Sequence, residues 1–107
     1  MTVLDDIAAE RRRQIMIEGW SHEHDDSHTD GSLATAAAVY ALHPFGWHLV
    51  VTEREKRRLL SLSDFWPWDW QWFKPTNRRR DLIKAGALIV AEIERLDRAN
   101  PNTESTQ

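Results

Sequence analysis

Histidines and acids are concentrated in one short polar stretch of the chain. Between Trp20 and Gly31 the sequence reads Ser-His-Glu-His-Asp-Asp-Ser-His-Thr-Asp. Imidazole and carboxylate groups are ligands for zinc, manganese and magnesium. One hypothesis is a metal site formed by His24, Asp25, Asp26 and His28. The alternative is a solvated loop whose aspartates cap backbone amides before the next helix.

Tryptophans and cations form a second cluster with chemical potential. The chain has six tryptophans, of which Trp66, Trp68, Trp70 and Trp72 alternate along one segment that leads into Lys74 and the triple arginine at 78–80. Flat indoles beside cations suit a nucleotide, because a base stacks on an aromatic ring with about 1–3 kcal/mol and arginine or lysine binds phosphate. The alternatives are that these side chains pin the segment onto the helices or bury a subunit interface.

The nucleotide hypothesis assigns a role to each candidate residue. The bases would stack on Trp20 and on one or more of Trp66, Trp68 and Trp70. The phosphates would be neutralised by Lys74, Arg79 and Arg80. Ribose hydroxyls would bond to Asp26 or His28, and His24 completes the set of candidate ligand-binding residues.

A hydrolase is the competing hypothesis. Magnesium or manganese held by the histidine and aspartate stretch, together with Glu94 and Asp97 one helical turn apart, would generate the attacking hydroxide. Nucleophilic catalysis has no support, because the chain contains no cysteine, no glycine-rich phosphate loop and no nucleophile elbow. We therefore predict no catalytic residue for the preferred hypothesis, and a metal only for the alternative.

Composition limits the possible partners. The chain is 41% hydrophobic and 29% charged, with a formal net charge of -3. These values exclude a chain that is a disordered tail over its whole length, and they disfavour a general nucleic-acid coating protein. No stretch approaches the roughly 20 apolar residues of a membrane helix. Ten aromatic residues are many for so small a domain to bury alone, and this predicts a homo-oligomer.

The pattern of apolar residues predicts an all-α fold, a bundle of three to four helices with two long irregular loops. Helices are expected over residues 3–18, up to about 42 from a cap at Asp30 or Ser32, over 52–62, and from 78 to about 98 with Asn77 as the cap. The alanine-rich second helix is expected near the centre of the domain, and Val50 with Val51 leave room for a short strand before the third helix. In the first helix, residues 10–13 are expected to be solvated. The last helix has an apolar stripe formed by Leu82, Ala85, Gly86, Ile89, Ile93 and Leu96. One domain is predicted over residues 1–99, followed by a flexible tail over 100–107.

Several motifs together resemble small uncharacterised phage and prophage proteins. The matching stretches are residues 10–15 (ERRRQI), 18–20 (EGW), 23–26 (EHDD) with His28, 30–34 (DGSLA), 66–68 (WPW), 73–75 (FKP) and 79–89 (RRDLIKAGALI). The resemblance implies a protein made in the cytoplasm of an infected bacterium. It brings no settled activity with it.

Two shorter likenesses bear on chemistry. Gly19-Trp20, Asp25-Asp26 and His28 are similar to part of the ryanodine-receptor repeat, a helical module suspected of sensing nucleotide signals. Glu94 and Asp97 match half of the metal site of MazG-like all-α nucleoside triphosphate pyrophosphohydrolases, while the helix at 31–42 has no acid for the other half.

Taken together, these features favour a phage protein that binds a nucleotide-type immune signal, such as a cyclic ADP-ribose or a cyclic dinucleotide, and so blunts bacterial defence. The alternatives are a MazG-like metal-dependent pyrophosphohydrolase and a module that binds a host protein.

Overall fold

Four α-helices make up most of the part of the chain that the computed structural model describes, residues 2–43, 48–54 and 56–100. They are α1 (Val3–Met16), α2 (His22–Asp26), α3 (Ser32–Leu42) and α4 (Arg78–Ala99). The prediction of a mainly helical bundle is therefore confirmed in outline. The predicted tail lies outside the described residues from position 101 onward. None of the described helices is long and apolar enough to cross a bilayer.

The helices begin where short polar side chains can accept the free amides of the first turn. Asn77 accepts a hydrogen bond from the backbone N–H of Arg80 at the start of α4. Asp30 accepts one from the N–H of Ser32 at the start of α3. Thr2 and Asp5 form a reciprocal capping box on α1. The cap at Asn77 is confirmed, whereas the N-cap position of α3 is Gly31 and Asp30 lies one residue before it.

The helix predicted over 52–62 is wrong. This region forms a two-stranded antiparallel hairpin, β1 (His48–Glu53) and β2 (Lys56–Ser61), followed by a 3-10 turn at Leu62–Phe65. The register pairs Glu53 with Lys56, and Arg54 in the turn has a φ of 50°. Val50, Val51 and Thr52 are β-branched and favour strands, so strand pairing prevails over the capping-box pattern. The fold is thus helical with one added hairpin.

The loop predicted over residues 20–30 also contains regular structure. Ser21 caps the five-residue helix α2 by accepting the N–H of His24 at 3.2 Å. A helix this short has almost no apolar periodicity for sequence analysis to detect. It matters because it fixes the spacing of the histidines.

The core lies around α3, which packs against α4. The buried apolar residues of α3 are Leu33, Ala36, Ala37, Val39 and Tyr40. Trp20, Trp66 and Leu88 join them in one cluster. The central position predicted for this alanine-rich helix is confirmed.

Helix α1 buries charged residues that were predicted to be solvated. Glu10 and Arg11 are 1% and 6% exposed, whereas Leu4 is 76% exposed. The prediction failed because these charges have partners on other elements: Glu10 pairs with Arg80 of α4, and Arg11 pairs with Asp25 of α2. A paired and hydrogen-bonded charge can be buried at an acceptable free-energy cost.

Helix α4 buries a different apolar face from the predicted one, formed by Ile83, Ala87, Leu88 and Ala91. Most of its apolar stripe lies on the surface, where Leu82, Ile89, Ile93 and Leu96 are exposed. The middle of the stripe does make a close helix crossing, as expected for a mid-helix glycine. A Cβ at Gly86 would lie 3.0 Å from Cδ1 of Ile7 in α1. The exposed remainder is an apolar face without a partner in the described part of the chain.

Candidate functional site

The Trp-rich segment, residues 66–74, is hydrogen-bonded to the helices by the phenol of Tyr40 and by Lys84, which donates to the carbonyl of Lys74. The hydroxyl of Tyr40 donates to the carbonyl oxygen of Trp72 at 3.3 Å and accepts the N–H of Lys74 at 2.9 Å. Burial raises the pKa of Tyr40 to about 12, so the phenol remains protonated and can serve both bonds. The two prolines at 67 and 75 prevent a long helix here, and a 3-10 turn at Trp70–Trp72 forms instead.

Tyr40→Phe is expected to destabilise the protein by about 1–3 kcal/mol, because the N–H of Lys74 and the carbonyl of Trp72 lose a shared partner. Urea denaturation followed by tryptophan fluorescence measures this. The ring itself is retained, so the core stays filled. An unchanged midpoint would show that the hydroxyl does not hold the segment.

Beneath this anchor the aromatic rings form a continuous cluster. Trp66 is buried, lies 5.6 Å from Tyr40 and 4.9 Å from Phe73 between ring centroids, and donates its indole N–H to the carbonyl of Asp69. Trp66 is therefore a packing residue. Trp70 lies against it and is 54% exposed.

Trp20, Trp68 and Trp72 line an open pocket of about 340 Å³, here called the aromatic pocket. Its lining residues are Glu18, Gly19, Trp20, His24, His28, Trp68, Asp69 and Trp72. Trp20 contacts Trp68 edge-on with ring centroids 5.5 Å apart, and the Trp72 ring lies 6.5 Å from it. Ligand pockets typically span about 300–1,000 Å³, so the size suits a small organic molecule.

Two histidines complete the wall. The His24 ring is nearly parallel to Trp20, with centroids 6.0 Å apart, and the His28 ring lies 5.3 Å from Trp68. The two Nε2 atoms approach to 3.3 Å. Burial, reinforced by the adjacent His24, lowers the pKa of His28. His28 is therefore neutral at pH 7 and presents both a donor and an acceptor.

A chain of ion pairs ends at the pocket. Glu18 accepts from Lys74 at 3.1 Å and from Arg13 at 3.3 Å. Arg13 also bonds Glu10 through both carboxylate oxygens, and Arg80 bonds Glu10 from α4. The Lys74 ammonium lies 5.5 Å from the Trp72 ring centroid. Lys74 thus lies beside the pocket, and its ammonium group is already paired with the carboxylate of Glu18.

The structure brings together four of the residues proposed for ligand binding: Trp20, His24, His28 and Trp68 all line the pocket. Sequence reasoning did not include Trp72, Glu18, Gly19 or Asp69. The alternating tryptophans at 66–72 pointed to this segment. The alternation alone does not indicate which of the four indoles lie on the same side of the segment.

The remaining candidates lie elsewhere. Asp26 pairs with Arg98 at 2.8 Å, Arg79 with Asp6 at 2.6 Å, and Arg80 with Glu10. None of them lines the pocket, and neither do Trp66, Trp70 and Lys74. The proposed phosphate ligands Arg79 and Arg80 join α4 to α1.

The four-residue metal site is not assembled. Asp25 is turned to Arg11 at 2.6 Å, and Asp26 to Arg98. Glu94, proposed for the hydrolase, accepts from Arg11 at 3.2 Å. Within residues 2–43, 48–54 and 56–100, no group of three or more histidine, cysteine, aspartate or glutamate side chains is arranged to hold an ion.

Comparisons with protein-family models, curated proteins and solved structures give no match to this chain.

Proposed function

We propose that the protein binds a nucleotide in the aromatic pocket and holds it intact. In this role it withdraws a nucleotide-type immune signal, cyclic ADP-ribose-like or a cyclic dinucleotide, from a bacterial anti-phage defence. The observation that carries the proposal is the pocket itself, where Trp20, Trp68 and Trp72 stand beside His24 and His28. The resemblance to phage proteins supports the biological setting.

Stacking supplies the first part of the recognition. A base against an indole gains about 1–3 kcal/mol regardless of its identity. Trp20 is 6% exposed and lies in the core cluster, so it forms the back of the pocket and holds the half-buried rings of Trp68 and Trp72 in place for stacking. Preorganised rings reduce the entropy cost of binding.

Polar groups around the rings supply the second part. The indole N–H of Trp68 is buried and has no acceptor among the described residues. A buried donor without a partner costs about 1–3 kcal/mol, which a ligand acceptor would recover. Glu18 and Asp69 offer carboxylate oxygens to ribose hydroxyls or to N–H groups of a base. Lys74 can exchange Glu18 for a phosphate.

The ion pairs favour holding over hydrolysis. A metal-dependent hydrolase needs carboxylates free to bind the ion. Asp25 and Glu94 are engaged by Arg11, and Asp26 by Arg98. Binding by burial and stacking needs none of them.

The test uses mass spectrometry of a nucleotide panel incubated with the protein and Mg²⁺ or Mn²⁺. The expected result is that one nucleotide leaves the free pool and returns intact after heat denaturation. Trp68→Ala is expected to weaken its binding about fivefold to a hundredfold, the loss of one stacking contact. Trp70→Ala is the matched control, because that exposed ring lies outside the pocket. A nucleotide returned cleaved would favour the hydrolase, and full affinity in Trp68→Ala would remove the pocket from the mechanism.

We also propose that copies of the chain associate through the apolar face of α4. Leu82, Ile89, Ile93 and Leu96 follow one another at intervals of seven, four and three residues, with Gly86 between the first two. This is the spacing of a coiled-coil seam. Beside it, the groove between α1 and α4 is lined largely by apolar side chains, among them Leu4, Ile7 and Val90. In an isologous dimer the apolar face of α4 in one copy would bury the same face of the other copy.

Ile89→Asp combined with Ile93→Asp is expected to convert the oligomer to a 12.5 kDa monomer, because each aspartate would bury an unpaired charge. Size-exclusion chromatography with light scattering at two concentrations measures the mass. Met16→Gln, an exposed apolar position on α1, is the control. A wild-type mass of one chain at both concentrations would contradict the proposal.

A further inference from the structure

The two histidines of the aromatic pocket meet through their Nε2 atoms. The Nε2 of His24 lies 3.3 Å from the Nε2 of His28, whereas the ring centroids are 4.6 Å apart. Because the nitrogens are closer than the ring centres, the rings present these nitrogens to each other. Two nitrogens so placed can share either a proton or a metal ion.

The distance suits two arrangements. At 3.3 Å the two imidazoles can share a hydrogen bond, as Tyr40 and the carbonyl of Trp72 do at the same distance. Two nitrogens that share a tetrahedral zinc ion, each about 2.0–2.1 Å from it, are also separated by about 3.3–3.4 Å. The pair is therefore already spaced for a shared ion, and the groups around it bear on which arrangement forms.

The surroundings of His24 fix its tautomer. Its Nδ1 faces Oδ1 of the buried Asp25 at 3.3 Å, while Oδ2 of Asp25 accepts from Arg11 at 2.6 Å. A carboxylate beside Nδ1 holds the proton there and leaves the Nε2 lone pair free, which is the usual support of a metal-bound histidine. The parallel Trp20 ring limits rotation of the imidazole.

We propose that His24 and His28 bind a transition-metal ion of the zinc type in the aromatic pocket. Two imidazole donors select zinc, nickel, cobalt or copper over magnesium and manganese, which prefer oxygen. The protein supplies two ligands, and water or an oxygen of a pocket ligand fills the other positions. This site differs from the four-residue site expected from sequence, since Asp25 acts behind His24 and Asp26 takes no part. Metal binding at this site requires no nucleotide, so it can be tested independently of the proposed function.

The experiment titrates the intact protein with Zn²⁺ alone in a calorimeter and with Cu²⁺ while recording tryptophan fluorescence. We expect one saturable ion per chain, with quenching by Cu²⁺ because Trp20 and Trp68 lie 6.0 and 5.3 Å from the two imidazoles. His24→Gln and His28→Gln should each weaken Zn²⁺ binding by about tenfold or more. His22→Gln should bind as the wild type does, because His22 is exposed on the same helix and lines the separate α1–α4 groove.

A second measurement needs no variant. In the wild type, substoichiometric Zn²⁺ should shift the imidazole NMR signals of His24 and His28 together and leave those of His22 in place. Absence of saturable binding, equal losses in all three variants, or histidine signals that do not move as a pair would each overturn the proposal.

Discussion

Asp25→Ala is expected to lower the free energy of unfolding by about 3 kcal/mol or more, because removal of one partner leaves a buried charge uncompensated. The side chains of Asp25 and Arg11 are 1% and 7% exposed, and they meet at 2.6 Å. Arg11 would keep only Glu94, a half-exposed partner at 3.2 Å. Since α2 is five residues long, the loss should also loosen the histidine wall of the pocket. Urea denaturation followed by circular dichroism measures the change.

Asp26→Ala is the matched control for this prediction. It removes the neighbouring carboxylate, whose pair with Arg98 is half exposed, and exposed pairs contribute about 0–1 kcal/mol. A double variant, Arg11→Leu with Asp25→Leu, should recover part of the loss because the one charge that it leaves without Arg11, Glu94, is half exposed rather than buried. If Asp25→Ala and Asp26→Ala cost the same, the buried pair does not organise α2.

Glu10→Gln is expected to cost about 2–3 kcal/mol and to flatten the loss of stability in acid, since two arginines would face a neutral amide. Burial opposes ionisation of Glu10, but hydrogen bonding and charge from Arg13, with Arg80 beside it, outweigh burial and hold its pKa below the ordinary 4.5. A carboxyl group with a lowered pKa stabilises the fold fully above its unfolded pKa. That contribution disappears as the pH falls through the folded pKa.

Wild type should therefore lose stability below about pH 4.5, the ordinary value for this group, more steeply than Glu10→Gln does. Thermal unfolding between pH 7 and pH 3 measures both slopes. Asp6→Asn is the control, because its pair with Arg79 is exposed on the arginine side. Parallel acid slopes for wild type and Glu10→Gln would show that Glu10 is not the titrating group.

Local chemistry in the sequence determined where α3 and α4 begin and the regions that carry the candidate site. Asp30 and Asn77 mark helix starts because their side chains satisfy nearby amides, whatever the rest of the chain does. The same holds for the prolines that prevent a long helix in the Trp-rich segment. Trp20, His24, His28 and Trp68 were named as candidate residues from residue type alone, and they meet in one pocket.

Tertiary structure decided which faces are buried. Apolar periodicity predicts an amphipathic helix, but α4 turns Ile89 and Ile93 outward, and α1 buries Glu10. The reason is that Glu10 and Arg11 find partners on α4 and α2, distant in sequence, and those pairings set how α1 lies on its neighbours. The hairpin at 48–61 likewise required pairing between two strands.

The alternating tryptophans illustrate the same limit at the site. Trp66, Trp68, Trp70 and Trp72 look equivalent in sequence, yet Trp66 enters the core, Trp70 faces outward, and Trp68 and Trp72 line the pocket. Their roles follow from where Tyr40 fastens the segment to α3. Residue type therefore determined which aromatic, imidazole and charged groups are available to a site. Long-range contacts decided which of these side chains lie together in the pocket, because burial depends on neighbours that are distant in sequence.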